Sequence, residues 1–149
     1  MTSATPSEWF DCLGSQTRIL VDGDSTGGRF DLLESAEPPG SMPPLHVHHA
    51  QEDGVYVIEG TVTLLMPGTS VDCGPGDFFL APRGVPHAYR VGDEPLRWLA
   101  MSSPAGFARF VMELAALPDA DPEELDPEEL AAIAAKHGLE LLGPPGTLP

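Results

Sequence analysis

The chain has 149 residues, a length typical of a single domain with a real buried core. Its formal net charge of −16 at pH 7 would repel nucleic-acid phosphates and anionic membranes. We therefore exclude nucleic-acid binding and membrane binding as main roles. The 17 prolines and 16 glycines favour an all-β fold with frequent turns over a helical bundle.

The N-terminal segment and the two cysteines predict a cytoplasmic protein. Residues 1–7 lack the basic residues and the apolar stretch of a signal peptide, and no apolar run is long enough for a membrane-spanning helix. Cys12 and Cys73 lie far apart in the sequence and form no C-x-x-C pattern. We expect two reduced thiols rather than a disulfide framework.

The first two segments are an arm and a run of short strands. Residues 1–14 are polar apart from Trp9 and Phe10, which need cover, and they are interpreted as an N-terminal arm. Residues 15–103 contain short apolar runs separated by turns rich in glycine, proline and aspartate, which predicts a β-sandwich or barrel. Strands are expected at residues 18–21, 29–36, 55–58, 61–66, 71–73, 77–81, 87–91 and 96–101, and around the histidines at 46 and 48.

Residues 104–149 are predicted to form a C-terminal helical extension packed on the outside of the barrel. Phe107, Phe110, Val111 and Leu114 follow the i, i+3, i+4, i+7 spacing of one helix face. This spacing predicts a first amphipathic helix.

A second helix has recognisable start and stop signals. Asp126 can serve as its N-cap, with Pro127 at the first helical position and Gly138 just past the last. The first turn carries acidic residues, which the positive end of the helix dipole favours.

The run at residues 78–81 is apolar at every position, whereas a strand covered on one side alternates apolar and polar side chains. We therefore expect the core to cover this strand on one face and the arm or a second subunit to cover it on the other. With Trp9 and Phe10, this apolar surface predicts a homodimer.

Three histidines are the candidate functional residues. His46 and His48 are one residue apart, so on a strand their imidazoles point to the same side and can reach one ion. His49 points the other way and is not expected to take part. Two acids, Glu52 and Asp53, follow in the next turn, and His87 lies downstream after a turn formed by residues 82–84.

These residues lie in two stretches that resemble the paired motifs of the cupin family. Residues 40–60 match a glycine, five residues, H-x-H, a short spacer, a carboxylate, six residues and a glycine. Residues 76–87 match a glycine, five residues, P-x-G, two residues and a histidine, and only residues 61–75 separate the motifs. The C-terminal part also resembles that of bacterial quercetin-dioxygenase-like monocupins. The resemblance implies an all-β double-stranded β-helix, the cupin or jelly-roll barrel, over residues 15–103.

The resemblance also implies one metal ion bound by His46, His48, Asp53 and His87. Such a ligand set suits a divalent first-row transition metal (Fe, Ni, Cu, Mn, Co or Zn) and leaves a position for substrate. The chain departs from the motif because its carboxylate position holds Asp53 rather than glutamate. Glu52 is the alternative ligand, but it would face the other side of the strand unless the strand carries a bulge.

Strand alternation predicts the walls of the site. The side chains expected to share a face with the predicted ligands are Met42, Pro44, Val55, Val57, Tyr89 and Val91, and no basic residue falls at such an inward position. A sugar phosphate would require lysine or arginine in the pocket. The site therefore favours an apolar, aromatic or polyketide-like small molecule with hydroxyl or carbonyl groups.

Three functions fit this pattern. The first is a dioxygenase similar to quercetin dioxygenases, in which Asp53 takes a proton from the substrate hydroxyl as the metal binds it. The second is a metal-dependent cyclase or isomerase acting without redox chemistry, for which the shorter Asp53 would free a coordination position. The third is a small-molecule-binding module without catalysis.

Overall fold

A computed structural model describes residues 5–117 and 125–149. Positions 1–4 of the predicted arm and 118–124 of the predicted C-terminal extension lie outside these residues. In chain order the strands of the described part are β1 (Phe10–Cys12), β2 (Ser15–Val21), β3 (Asp31–Glu37), β4 (Pro44–His48), β5 (Glu52–Glu59), β6 (Val62–Met66), β7 (Thr69–Cys73), β8 (Phe78–Ala81), β9 (Ala88–Val91), β10 (Leu96–Ser103) and β11 (Leu139–Pro145). Its helices are α1 (Phe107–Ala115) and α2 (Pro127–Lys136), between β10 and β11.

The strands form two layers. One sheet has the order β1-β2-β3-β10-β5-β8, and the other layer contains β7-β6-β9 and β11-β4, joined by a backbone bridge between His46 and His87. All these pairings are antiparallel, and distant strands such as β3, β10 and β5 are neighbours. The predicted double-stranded β-helix with two C-terminal helices is confirmed.

Tight turns hold the strands in register at positions that only glycine fits well. Gly60 has a φ of 84°, and a side chain there would press against the backbone of Pro95 in the loop before β10. The glycine that closes the first motif therefore lets the β5–β6 turn lie directly on the neighbouring connection.

Both helices begin at carboxylates, but these lie in different parts of the chain. The Asp126 side chain accepts a hydrogen bond from the Glu128 N–H at 2.9 Å, as expected for the N-cap of α2. Helix α1 has no cap of its own, and Oδ2 of Asp31, in β3, instead accepts from the N–H groups of Gly106 and Ala108.

Within the described residues, the core consists of two apolar clusters. The larger lies beneath the helices, where Phe110, Val111 and Leu114 of α1 pack with Leu33 of the six-stranded sheet. The other fills the space between the sheets around Val57, and it includes Leu64 and Trp98. Helix α1 was predicted on the outside of the barrel, but its apolar face also lines the internal cavity.

Two strands lie outside the predicted strand segments. Strand β1 pairs with β2, so the segment predicted as an arm contributes backbone hydrogen bonds to the sheet. Strand β11 pairs with β4, with Leu139 opposite His48 and Leu141 opposite His46. Its glycine and two prolines are poor strand formers, which explains why the local sequence did not predict it. In the part of the chain that is described, neither helix is long and apolar enough to cross a membrane.

Candidate metal centre

The backbone brings two of the predicted ligands together across two strands. His46 and His87 exchange both of their backbone hydrogen bonds, at N···O distances of 3.1 and 2.8 Å. Residues paired in this way stand directly opposite each other with their side chains on one face. The turn before His87 is fixed by the Gly84 N–H, which donates to the His48 carbonyl at 2.8 Å. The motif glycine and the histidine pair are thus parts of one backbone arrangement.

Strand alternation adds the third imidazole. The ring centroids of His46 and His48 are 5.2 Å apart, and those of His46 and His87 are 4.4 Å apart. One nitrogen from each of the three rings lies within 4.8 Å of the others. The side chains of His46, His48 and His87 (the histidine triad) are therefore close enough to bind a single ion.

The hydrogen bonds of the triad suit metal coordination. Nδ1 of His46 lies 2.8 Å from the Pro44 carbonyl, and Nδ1 of His87 lies 3.1 Å from that of Val85. A carbonyl only accepts, so Nδ1 carries the proton and the Nε2 lone pair is left for an ion. Burial and the neighbouring imidazoles lower the pKa of His46 to about 3, and burial lowers that of His87. Both rings are thus neutral at physiological pH, as metal ligands must be, and the residues present fit a divalent transition metal.

Asp53 lies beside the triad. Its Oδ2 is 2.6 Å from Nε2 of His48, and the side chain lines the same cavity. Asp53 is not within the mutual distance that unites the three imidazoles. The structure therefore gathers three of the four predicted ligands around one point and leaves the fourth in contact with one of them.

The neighbouring polar residues point elsewhere. A carboxylate oxygen of Glu52 accepts a hydrogen bond from the Arg83 N–H at 2.7 Å on the outer side of the sheet. Nε2 of the exposed His49 lies 2.6 Å from a carboxylate oxygen of Glu140. Neither side chain lines the cavity. Between the two adjacent acids, this geometry favours Asp53 as the site carboxylate.

A second, deeply buried acid lies two strands away from Asp53. Asp31 and Asp53 are both paired with Ser102 of β10, one from each side, so the three residues form a row across the sheet. Asp31 is 1% exposed, and burial raises its pKa although backbone N–H groups at the start of α1 oppose the shift. Its Oδ1 is buried without a hydrogen-bond partner among the described residues. Sequence reasoning missed this residue because the contact joins β3 to a helix 75 residues later.

The triad opens into a cavity of about 720 Å³, a size typical of small-molecule sites. Met42, Pro44, Val55 and Tyr89 line it as strand alternation predicted, whereas Val57 and Val91 are buried in the core and do not line it. No lysine or arginine is among the described lining residues. The wall is therefore apolar with a few polar groups, which suits an uncharged or weakly polar ligand better than a phosphate ester.

Two features of the lining were not predicted. Phe107 of α1 lies over the triad, with its ring centroid 5.9 Å from that of His48. Glu37, predicted in a loop, is the last residue of β3 and is directed inward among the lining residues. The alternation of Leu33, Ser35 and Glu37 along β3 could have revealed it, had the strand been extended by one residue.

Comparison with known sequences identifies one protein family and two related proteins. The Cupin domain family matches residues 34–102. Quercetin 2,3-dioxygenase from Bacillus subtilis (strain 168) is 28% identical over 123 residues, which cover 78% of this chain and 36% of that protein. An uncharacterized protein from Methanocaldococcus jannaschii is 30% identical over 79 residues, which cover 52% of this chain and 63% of that protein. The chain thus spans between about a third and two thirds of the length of these relatives.

Solved structures share the fold. KdgF from Halomonas sp. superposes with a TM-score of 0.61 at 20% identity, covering 69% of this chain and 93% of that one. The polyketide cyclase RemF from Streptomyces resistomycificus superposes with a TM-score of 0.55 at 27% identity, covering 76% of this chain and 78% of that one.

Proposed function

Because the chain belongs to the cupin superfamily, we propose that it is a metal-dependent dioxygenase of the quercetinase type. Its substrate would be an apolar aromatic small molecule with neighbouring hydroxyl and carbonyl groups. One observation carries the proposal: a triad of neighbouring histidines opens into an apolar cavity whose described lining has no cationic side chain.

In the proposed reaction, the triad would bind the metal and Asp53 would accept a proton. His46, His48 and His87 would hold the ion through Nε2, with Nδ1 of His46 and of His87 fixed by backbone carbonyls. A bound divalent metal would polarise the substrate oxygen that reaches it and support reaction with dioxygen. Asp53 would accept the proton of the substrate hydroxyl, since its carboxylate lines the cavity next to His48.

The apolar wall of the cavity would orient the substrate and exclude water from the site. Phe107 covers His48 from the helical side, and Trp98 and Tyr89 stack edge to face at 4.7 Å within the lining. Flat aromatic ligands pack well against such side chains. The likeness to quercetin dioxygenase supports the proposed chemistry, but it extends over only 36% of that protein, so the activity rests on the site described here.

The test is oxygen consumption by purified protein. The protein would be stripped of metal, loaded separately with Fe, Ni, Cu, Mn, Co or Zn, and mixed with quercetin in an oxygen electrode. We expect uptake with at least one redox-active metal, near-complete loss in His87→Ala, and retention in His49→Ala. Absence of uptake with every metal would reject the dioxygenase. Binding of metal and flavonol without any product would identify a binding module instead.

A metal-dependent cyclase or isomerase is the second candidate. It is favoured by the position of Asp53, whose carboxylate contacts His48 instead of joining the triad and would leave a coordination position open. The likeness to the polyketide cyclase RemF also supports it. In this case the zinc-loaded protein would convert a polyketide-like substrate without oxygen uptake.

The proposed assembly is a homodimer formed through the outer face of the six-stranded sheet. Four apolar side chains share this face near the edge strand β8, with exposed fractions of 60% for Phe78, 50% for Leu80, 43% for Tyr56 and 37% for Met101. A two-fold axis would place this patch against the same patch of a second subunit, so that each copy buries the apolar side chains of the other. A monomer would leave the four side chains in water.

A further inference from the structure

A second polar cluster lies in the same cavity as the histidine triad. It consists of Glu37, Ser15 and Tyr89, and is called the distal cluster here. The Ser15 hydroxyl donates to one carboxyl oxygen of Glu37, and the Tyr89 phenol donates to the other at 3.3 Å. All three residues line the cavity, and Glu37 is 7% exposed.

The distal cluster and the triad occupy different parts of the same cavity. Glu37 pairs with Leu96 at the start of β10, whereas Asp53 pairs with Ser102 near its end. Six residues of an extended strand correspond to roughly 20 Å, but on the facing wall Tyr89 of the cluster is only two residues, roughly 7 Å, from His87 of the triad. Between Glu37 and Asp53, the inward-facing side chains of this sheet are mainly apolar; they include Leu33, Val55 and Trp98. A ligand that touched both the triad and Glu37 would lie along this apolar wall.

The carboxyl group of Glu37 retains hydrogen-bonding capacity within the cavity. Ser15, Tyr89 and Ser41 donate to it, so three of the roughly four acceptor directions of a carboxylate are occupied and one is left. No lysine or arginine among the described lining residues faces it, and burial raises its pKa. The nearby thiol of Cys12, whose pKa burial and Glu37 raise to about 12, supplies no positive charge either. Burying a carboxyl costs free energy unless it is well paired. A side chain whose role was only to pack at this position would therefore be apolar, unlike Glu37.

We propose that the distal cluster is a ligand-binding subsite, in which the Glu37 carboxyl accepts a hydrogen bond from a phenolic hydroxyl of the ligand. The ligand class is an uncharged aromatic molecule with two hydroxyl groups, one toward the triad and one toward Glu37. The inference rests on the proposed function only insofar as the cavity admits an aromatic ligand. Anionic groups are excluded at this subsite because they would meet a carboxyl without a cation.

Selectivity follows from the buried acceptor. A ligand lacking the hydroxyl displaces water from Glu37 without replacing its hydrogen bond. Sites built to bind a substrate hydroxyl therefore reject analogues that lack it. Replacing the hydroxyl by a methoxy group removes the donor and keeps the aromatic body, so a matched pair of probes isolates this interaction.

The experiment uses metal-free protein and the probes 2-naphthol and 2-methoxynaphthalene. Binding would be followed through the fluorescence of Trp98, which lines the cavity beside Tyr89. For wild-type protein we expect 2-naphthol to bind about 10-fold more tightly than its methyl ether, the ratio that one strong hydrogen bond supports. In Glu37→Leu this ratio should fall to about one, since leucine offers no acceptor. Glu37→Gln keeps an acceptor oxygen and should retain a preference for 2-naphthol.

Glu34→Gln is the matched control, because Glu34 is on the same strand and equally buried but faces outward to Arg18 and Arg97. It should leave the ratio unchanged. A ratio near one in the wild type would overturn the proposal. So would a ratio that survives in Glu37→Leu but collapses in His87→Ala, because the hydroxyl would then bind at the triad. Neither readout requires metal or turnover, so the subsite can fail while the dioxygenase stands, and the reverse also holds.

Discussion

Nε2 of His48 lies 2.6 Å from Oδ2 of Asp53, in a contact where the histidine side chain is almost fully buried. The carboxylate thus touches the imidazole nitrogen that would otherwise face an ion. An Nε2 that binds an ion cannot also carry the proton shared with Asp53, so metal binding would replace this contact and leave Asp53 either bound to the metal or beside it.

Both arrangements predict that Asp53→Ala weakens metal binding. Loss of a residue that orients a metal ligand typically lowers affinity by about 10- to 100-fold. Glu52→Ala should have little effect, because Glu52 bonds the Arg83 backbone on the outer side. Metal titration by competition with a chelator measures both variants. If Glu52→Ala strips the metal and Asp53→Ala keeps it, the carboxylate assignment is wrong.

Removal of one imidazole should have a larger effect. His46→Ala and His87→Ala should purify with little metal, since they leave at most two histidines to hold the ion against water. His49→Ala is the control and should keep about one ion per chain, because His49 is exposed and paired with Glu140. Elemental analysis of the purified variants decides the point. Equal metal loss in His49→Ala and His46→Ala would show that the ligand pair is misassigned.

Asp31→Ala should destabilise the protein more than Asp126→Ala, although each residue caps one helix. Asp31 is 1% exposed and holds two N–H groups of α1 that no other described side chain satisfies, so its loss should cost about 2 kcal/mol or more. The exposed cap Asp126 should contribute about 0.5–1 kcal/mol. Urea unfolding followed by circular dichroism gives both values. Equal losses would mean that the buried cap adds nothing.

Glu34 and Glu37 should have opposite effects on stability as pH changes. Burial raises the pKa of Glu37 above 4.5 despite hydrogen bonds from Ser15 and Tyr89. The unfolded chain then loses a proton that the folded chain keeps, so wild-type stability falls as pH rises from 4.5 toward the folded pKa. Glu37→Gln removes this pH-dependent loss of stability, because an amide does not titrate. Relative to wild type, the variant should gain stability as pH rises above the unfolded value of 4.5.

Glu34 shows the reverse sign. Burial alone would raise its pKa, but hydrogen bonds from Arg18 and Arg97 outweigh burial and lower it. The ionised Glu34 carboxylate therefore stabilises the folded state above pH 4.5, and this stabilisation is lost as pH falls through the folded pKa. Glu34→Gln should therefore cost about 1–3 kcal/mol at neutral pH and less in acid. Urea unfolding of both variants from acid to neutral pH gives the change in stability of each relative to wild type. If Glu37→Gln and Glu34→Gln changed stability in the same direction at neutral pH, the opposite pKa shifts assigned to the two carboxyls would be contradicted.

Disruption of the apolar patch should prevent association. The double substitution Phe78→Ser with Leu80→Ser removes the two most exposed side chains of β8 without touching its inward residues. We expect wild-type dimers and variant monomers by light scattering at micromolar concentration, with similar circular-dichroism spectra. A monomeric wild type, near 15.8 kDa, would rule out the homodimer.

The sequence alone determined what local patterns can determine. Alternation predicted that His46 and His48 share a face and that Tyr89 faces inward, because side chains on a strand change sides at every residue. Helical spacing and capping predicted α1 and α2, and these signals lie within one or two turns of the chain. The order and spacing of two motifs predicted the double-stranded β-helix.

Only the tertiary structure decided which distant residues meet. Asp31 caps a helix 75 residues downstream, and Phe107 covers His48 across 59 positions of sequence. Strand β11 forms because β4 offers it an edge, despite a glycine and two prolines that locally disfavour a strand. Glu37 shares a cavity with the triad because β3 pairs with β10, which also pairs with the strand of Asp53. Such contacts depend on how strands pair and on which buried groups need partners, and neither is encoded within a short window of residues.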